Sequence, residues 1–176
     1  TNGVARCMRN SGQSCNAPTR MLVERSRYAE ALEQAAAAAT ATKVGPASEE
    51  GNHIGPVVSQ MQFDKIQTLI EVGIKEDGAT VIAGGLGRPE GLNRGFYVRP
   101  TIFADVDNTA RINREEIFGP VMTIMPFDTE EEAIAIANDT PYGLTNYIQC
   151  GDQEQRQRVA RQLRSGMVET NSVGFG

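Results

Sequence analysis

Val121-Met122-Thr123-Ile124-Met125-Pro126-Phe127 is a nearly continuous apolar run of strand length, and Thr129-Glu130-Glu131-Glu132 just behind it has the form of a helix capping box. An Ala/Ile-rich helix follows to about Asn138. The step then repeats. Thr140-Pro141-Tyr142-Gly143 turns the chain into an extended segment, Leu144–Cys150. Asp152 caps a helix carrying Val159, Ala160 and Leu163, and Gly166 ends it before a strand over Met167–Thr170. Upstream the pattern is similar: a first helix ends near Asn10, Thr19–Glu24 reads as a strand, and Arg27–Thr42 is Ala-rich enough to be helical. Ser59-Gln60-Met61-Gln62 forms another capping box, and Phe63, Ile66, Ile70 and Ile74 keep one helical face apolar until Gly78 stops it. Thr80–Ala83 is a short strand and Gly84–Gly87 a turn. Phe96–Phe103 is a further extended segment, whose Pro100 suggests an edge position or a bulge. Strands alternating with helices predict an α/β domain, three-layer αβα with a mostly parallel sheet, whose sites gather in loops at the carboxyl ends of its strands.

The 176 residues suit a single domain over 1–176, with 40% hydrophobic and 22% charged side chains excluding a disordered chain. Lys and Arg number 17 against 22 Asp and Glu, a net charge of −5 that argues against a nucleic-acid partner. No apolar run reaches the ~18–20 residues needed to span a membrane, and the start has no signal-peptide core. Three cysteines, Cys7, Cys15 and Cys150, match neither a disulfide framework nor a zinc site, which fits a reducing cytoplasm. The single histidine, His53, sits in a turn-rich stretch and reads as a loop imidazole; no multi-histidine metal site is possible. The chain opens without an initiator Met and stops soon after a strand, so it is expected to be part of a longer polypeptide.

Two stretches carry chemistry. Asn10-Ser11-Gly12-Gln13-Ser14-Cys15-Asn16 is a polar, glycine-containing turn that presents a thiol among backbone N–H groups able to stabilise a thiolate and an oxyanion. Taken alone, Cys15 reads more readily as a buried structural cysteine than as a nucleophile, and Cys7 and Cys150 keep that structural reading. Glu115-Glu116-Ile117-Phe118-Gly119-Pro120-Val121 sets two acids and an aromatic before a Gly-Pro turn into a strand. Such acids form a solvated face, or hold a ribose hydroxyl while the ring packs on a base.

With both stretches present, in this order, the sequence resembles the aldehyde dehydrogenase superfamily along nearly its whole length. Asn-Ser-Gly-Gln-Ser-Cys is similar to that family's active-site signature and Glu-Glu-Ile-Phe-Gly-Pro-Val to its cofactor-contacting signature. Gly55-Pro56-Val57, Gly95–Thr101, Asn138–Leu144 and Gly166–Asn171 add to the likeness. The resemblance implies a Rossmann-like catalytic domain and NAD(P)-dependent oxidation of an aldehyde to a carboxylic acid, with Cys15 as the covalent nucleophile. By the same likeness Glu116 holds the nicotinamide ribose, Phe118 packs near the nicotinamide, and Gln62 and Lys65 approach the NAD or NADP more loosely. Ser14, Asn16, Asn171 and Phe175 line the aldehyde pocket. The family's general-base Glu, oxyanion-hole Asn and main dinucleotide-binding domain precede the nucleophile and fall outside this chain. The isolated chain is therefore expected to be inactive, with exposed edges that favour self-association, and the parent to be a homo-oligomer. Two alternatives stay open: an acylating relative that passes the acyl group to coenzyme A, and an interaction domain without turnover.

Overall fold

The computed structural model describes residues 2–171, and its centre is the strand Val121–Phe127 (β4). Five consecutive residues of β4 are buried, which its unbroken apolar run requires. It pairs in parallel on one side with β1 (Arg20–Glu24), Arg20 opposite Thr123, and on the other with β3 (Thr101–Ala104), Thr101 opposite Val121. β2 (Thr80–Ala83) closes the sheet antiparallel to β3, giving the order β1-β4-β3-β2.

Alternation along β3 and β4 sorts two cores onto opposite faces. Ile102, Met122 and Ile124 pack with Val4, Cys7 and Met8 of α1 (Asn2–Met8) and with Ala35 and Ala39 of α2 (Arg25–Ala41). Phe103, Val121 and Met125 meet Phe63, Ile66, Leu69 and Ile70 of α3 (Gln60–Lys75) and Ile112 of α4 (Arg111–Arg114). This is the expected three-layer αβα arrangement. Polar groups within the second core are matched: Thr123 Oγ1 donates to Asn113 Oδ1 at 2.6 Å, and Asn113 Nδ2 donates to the Asp107 carbonyl at 2.8 Å.

The carboxyl-terminal third is α5 (Glu130–Asn138), β5 (Thr145–Ile148), α6 (Gln153–Ala160) and β6 (Met167–Thr170). β5 and β6 pair in parallel as a separate two-stranded sheet. Between the outer edges of β1 and β5 lies a cleft of about 1430 Å³. Arg20 Nε and Thr145 Oγ1 on its walls are buried with no hydrogen-bond partner among the described residues.

Several local expectations need correction. Of Phe96–Phe103 only the end from Thr101 is strand, because Phe96 O is engaged by Val57 N at 2.9 Å and Pro100 has no N–H to give. Pro100 thus precedes an interior strand; the sheet's edges are β1 and β2, and the bulge lies in β2. The Ser59 box is half formed: Ser59 Oγ accepts from Gln62 N at 3.2 Å, but the Gln62 side chain reaches elsewhere. In the Thr129 box, Thr129 Oγ1 accepts from Glu132 N, while the Glu132 carboxylate reaches one residue before the cap and accepts from Asp128 N. α4 was not foreseen; Asp77, from the end of α3, caps it by accepting from Arg111 N and Ile112 N at 3.1 and 3.0 Å. No helix among the described residues is long and apolar enough to cross a membrane.

Candidate active site

Asn10, Ser11 and Gly12 follow α1 with φ of 50°, 55° and 70°, three successive left-handed residues that reverse the chain. L residues avoid this region unless their surroundings hold them there. Here Ser11 Oγ donates to Gly55 O at 2.6 Å, Asn10 Nδ2 to Gln13 O at 2.9 Å, and Val58 N to Gln13 Oε1 at 2.9 Å. The reversal delivers a turn over Ser14–Ala17, closed by Ala17 N to Ser14 O at 3.0 Å, with Cys15 exposed in its middle. Exposure removes the buried-structural reading of Cys15.

Gly12 is the point of closest approach to the second stretch. A Cβ there would lie 1.9 Å from Gly119 O and 2.7 Å from Pro120 N. Gly12→Ala therefore combines a left-handed strain with a backbone clash, and should destabilise the fold by about 3 kcal/mol or more. Urea unfolding checks this; a loss under about 1 kcal/mol would mean that the two segments separate easily.

Glu116 and Phe118 stand on the loop that this contact braces. Phe118 is itself left-handed, with φ of 56°. Gln62 Nε2 donates to both Ile117 O and Phe118 O at 2.9 Å, Lys65 Nζ donates to Glu116 O at 2.7 Å, and Glu116 N donates to Tyr142 Oη at 3.2 Å. Cys15, Ser14, Asn16, Glu116 and Phe118 all line the cleft beside β1. Of the five non-glycine residues with positive φ among the described residues, three lie on these two stretches and a fourth is Asn171. Such concentration is typical of functional loops.

Gln62 and Lys65 are not on the cleft wall; their donors hold the backbone of residues 116–118. Asn171 lies apart as well, exchanging two side-chain hydrogen bonds with the backbone of Cys150. Phe175 falls outside the described residues. Tyr142, Tyr147 and Arg6 were missed, since a turn, a strand and a helix gave them no distinguishing signal. Tyr147 Oη donates to Asn16 O at 2.7 Å, and the Arg6 guanidinium sits 4.3 Å over the Tyr147 ring while pairing with Glu169 at 3.0 Å. Burial raises the Tyr147 phenol above its ordinary range, opposed by Arg6.

The other candidate groups are occupied. Cys7 is fully buried against Val121 O at 3.5 Å, and burial pushes its thiol up to about 12. Cys150 Sγ donates to Gln155 Oε1 at 2.9 Å, and His53 Nε2 bonds Pro46 O at 3.0 Å. Among the described residues no group of three or more His, Cys, Asp or Glu could hold a metal ion.

The profile of the aldehyde dehydrogenase family matches residues 1–175. The 3-succinoylsemialdehyde-pyridine dehydrogenase of a Pseudomonas species is 48% identical over 173 residues, 98% of this chain and 36% of that protein. The solved aldehyde dehydrogenase of Bartonella henselae is 59% identical with a TM-score of 0.96 over 99% of this chain and 36% of its own. That of Mycobacterium tuberculosis, complexed with NAD+, is 45% identical with a TM-score of 0.94, and covers 99% and 36%. The chain thus spans about a third of the length of these relatives. Fold, signature stretches and overall sequence agree along its length, and it belongs to the aldehyde dehydrogenase family.

Proposed function

We propose that this chain is the cysteine-bearing catalytic domain of an enzyme that oxidises an aldehyde to a carboxylic acid with NAD or NADP. The observation that carries this reading is the convergence of an exposed Cys15 turn and the Glu116–Phe118 loop on one cleft, across the Gly12–Gly119 contact. A nucleophile and a nicotinamide site must meet at one carbon.

The residues fit the cofactor. The exposed Glu116 carboxylate would accept from vicinal ribose hydroxyls, and the half-buried Phe118 ring would offer a flat face to a heteroaromatic ring. Bound NAD or NADP supplies the hydride acceptor of the oxidation. Cys15 attacks as thiolate: its sulfur forms a C–S bond to the aldehyde carbon while the carbonyl π pair moves to oxygen. The Cys15 N–H, at the middle of the Ser14–Ala17 turn, donates to that oxyanion. After oxidation the acyl group remains on the Cys15 sulfur as a thioester, and water releases the acid. The turn stays in place because Tyr147 holds Asn16 and Ser14 Oγ donates to Asn16 Oδ1 at 2.6 Å.

In an enzyme carrying this chain, Glu116→Gln should raise the Kd for NAD or NADP about tenfold, the worth of a hydrogen bond to a charged acceptor. Isothermal titration measures it. Unchanged affinity would remove Glu116 from the cofactor site.

A further inference from the structure

The two adjacent acids ahead of Phe118 are held in different ways. Glu115 is drawn back along α4 by Arg111, whose guanidinium donates to both of its carboxylate oxygens. Glu116 is exposed, and among the described residues its carboxylate has no partner. Its backbone is what is fixed: Lys65 Nζ donates to Glu116 O at 2.7 Å, and Glu116 N donates to Tyr142 Oη at 3.2 Å. An acid pinned through its own main chain keeps a free carboxylate in a set direction.

Tyr142 comes from the turn between α5 and β5, and that turn is itself tied to the end of α4. Arg114 Nη1 donates to Asp139 Oδ1 at 3.2 Å and to Asp139 O at 2.7 Å, Arg114 Nε donates to Asn108 O at 2.8 Å, and Asn108 Nδ2 closes the ring on Asp139 Oδ2 at 2.7 Å. Two rungs result. Arg114–Asp139 joins the segments just before the acid, and Glu116–Tyr142 joins them at the acid. An exposed ion pair adds little stability, but a guanidinium that forks onto a carboxylate fixes where the turn stands. Tyr142 N donates to Thr140 Oγ1 at 3.3 Å, which folds the phenol's own backbone against that turn.

We propose that Tyr142 is a positioning residue for the cofactor: its hydroxyl, by holding the Glu116 N–H, aims the Glu116 carboxylate at the ribose of NAD or NADP. This rests on the cofactor reading of Glu116 above. Tyr142 acts only through Glu116. Its side chain belongs to a residue that is 53% exposed, so loss of the hydroxyl alone opens no buried gap.

The test is a double-mutant cycle read by isothermal titration, on an enzyme that carries this chain, with NAD+ and NADP+ in turn and the tighter of the two kept as the probe. The variants are Tyr142→Phe, Glu116→Ala and the pair together. Phe keeps the ring and lacks only the acceptor. Tyr142→Phe should raise the Kd about two- to fivefold, within the worth of one hydrogen bond, at an unchanged melting temperature. In the Glu116→Ala background the same substitution should change the Kd by less than about 1.5-fold, because a residue acting through another adds nothing once that other is gone. Equal effects in the two backgrounds would overturn the proposal, since Tyr142 would then act on the cofactor directly or on the fold. A Kd that Tyr142→Phe leaves unmoved while Glu116→Ala raises it would overturn it too, with Glu116 still in the cofactor site. A Kd unmoved by Glu116→Ala would remove the cofactor reading of Glu116, and the proposal with it.

Discussion

Cys15→Ala in an enzyme that carries this chain should lower aldehyde-dependent NAD(P)H formation by about 10⁴-fold or more, the scale on which a covalent nucleophile fails when removed. The replaced side chain is exposed on a hydrogen-bonded turn, so the fold should be unaffected and the loss should appear in kcat with no change in melting temperature. Cys150→Ala should stay within about tenfold of the parent, because that thiol is engaged with Gln155 and its backbone with Asn171. Steady-state absorbance at the NAD(P)H band reads both. Activity that survives in Cys15→Ala would refute the nucleophile assignment.

Brief iodoacetamide treatment of the chain near pH 8 should alkylate Cys15 about 10³-fold or more faster than Cys7. Two independent causes act in the same direction. The thiolate is the reacting species, and burial raises Cys7 from 9.0 to about 12, which removes about three powers of ten of its thiolate. Cys7 is also fully buried between α1 and the sheet, so the reagent reaches it only through an opening of the first core. Peptide mapping at short times decides the matter. Comparable labelling of Cys7 would show that α1 is detached from the sheet in solution, and the Cys15 turn with it.

How much of this was legible in the sequence depended on whether the determinants were local. β2, β4 and β6 have the bounds read for them, because apolar runs between turn residues fix a strand without outside help. Ser59, Thr129 and Asp152 each cap a helix as their spacing suggests. α4 escaped because its N-terminus is capped by Asp77, more than thirty residues away, and its four residues carry no period. The division into two sheets escaped for a related reason: strand patterns state which residues are extended, not which edges meet.

The site shows the same boundary. The two signature stretches were visible as motifs, and the left-handed backbone at Gly12 fits the turn read there. What joins them was not visible, since Gly12 meets Gly119 across more than a hundred residues. Gln62 illustrates the limit well. Its position fitted both a capping box and a cofactor contact, yet its amide is used on the carbonyls of Ile117 and Phe118. Supporting residues of this kind, Tyr142 and Tyr147 included, are chosen by distance in space and leave little trace in spacing along the chain.

The covalent role of Cys15 is tested most directly by acid-quenching an enzyme that carries this chain during turnover with an aldehyde and NAD or NADP, then mapping its peptides by mass. The expected result is the acyl mass on the peptide containing Cys15, absent without cofactor and absent in Cys15→Ala. Acid product accumulating while Cys15 stays unmodified, or an acyl group found on Cys150 instead, would contradict it.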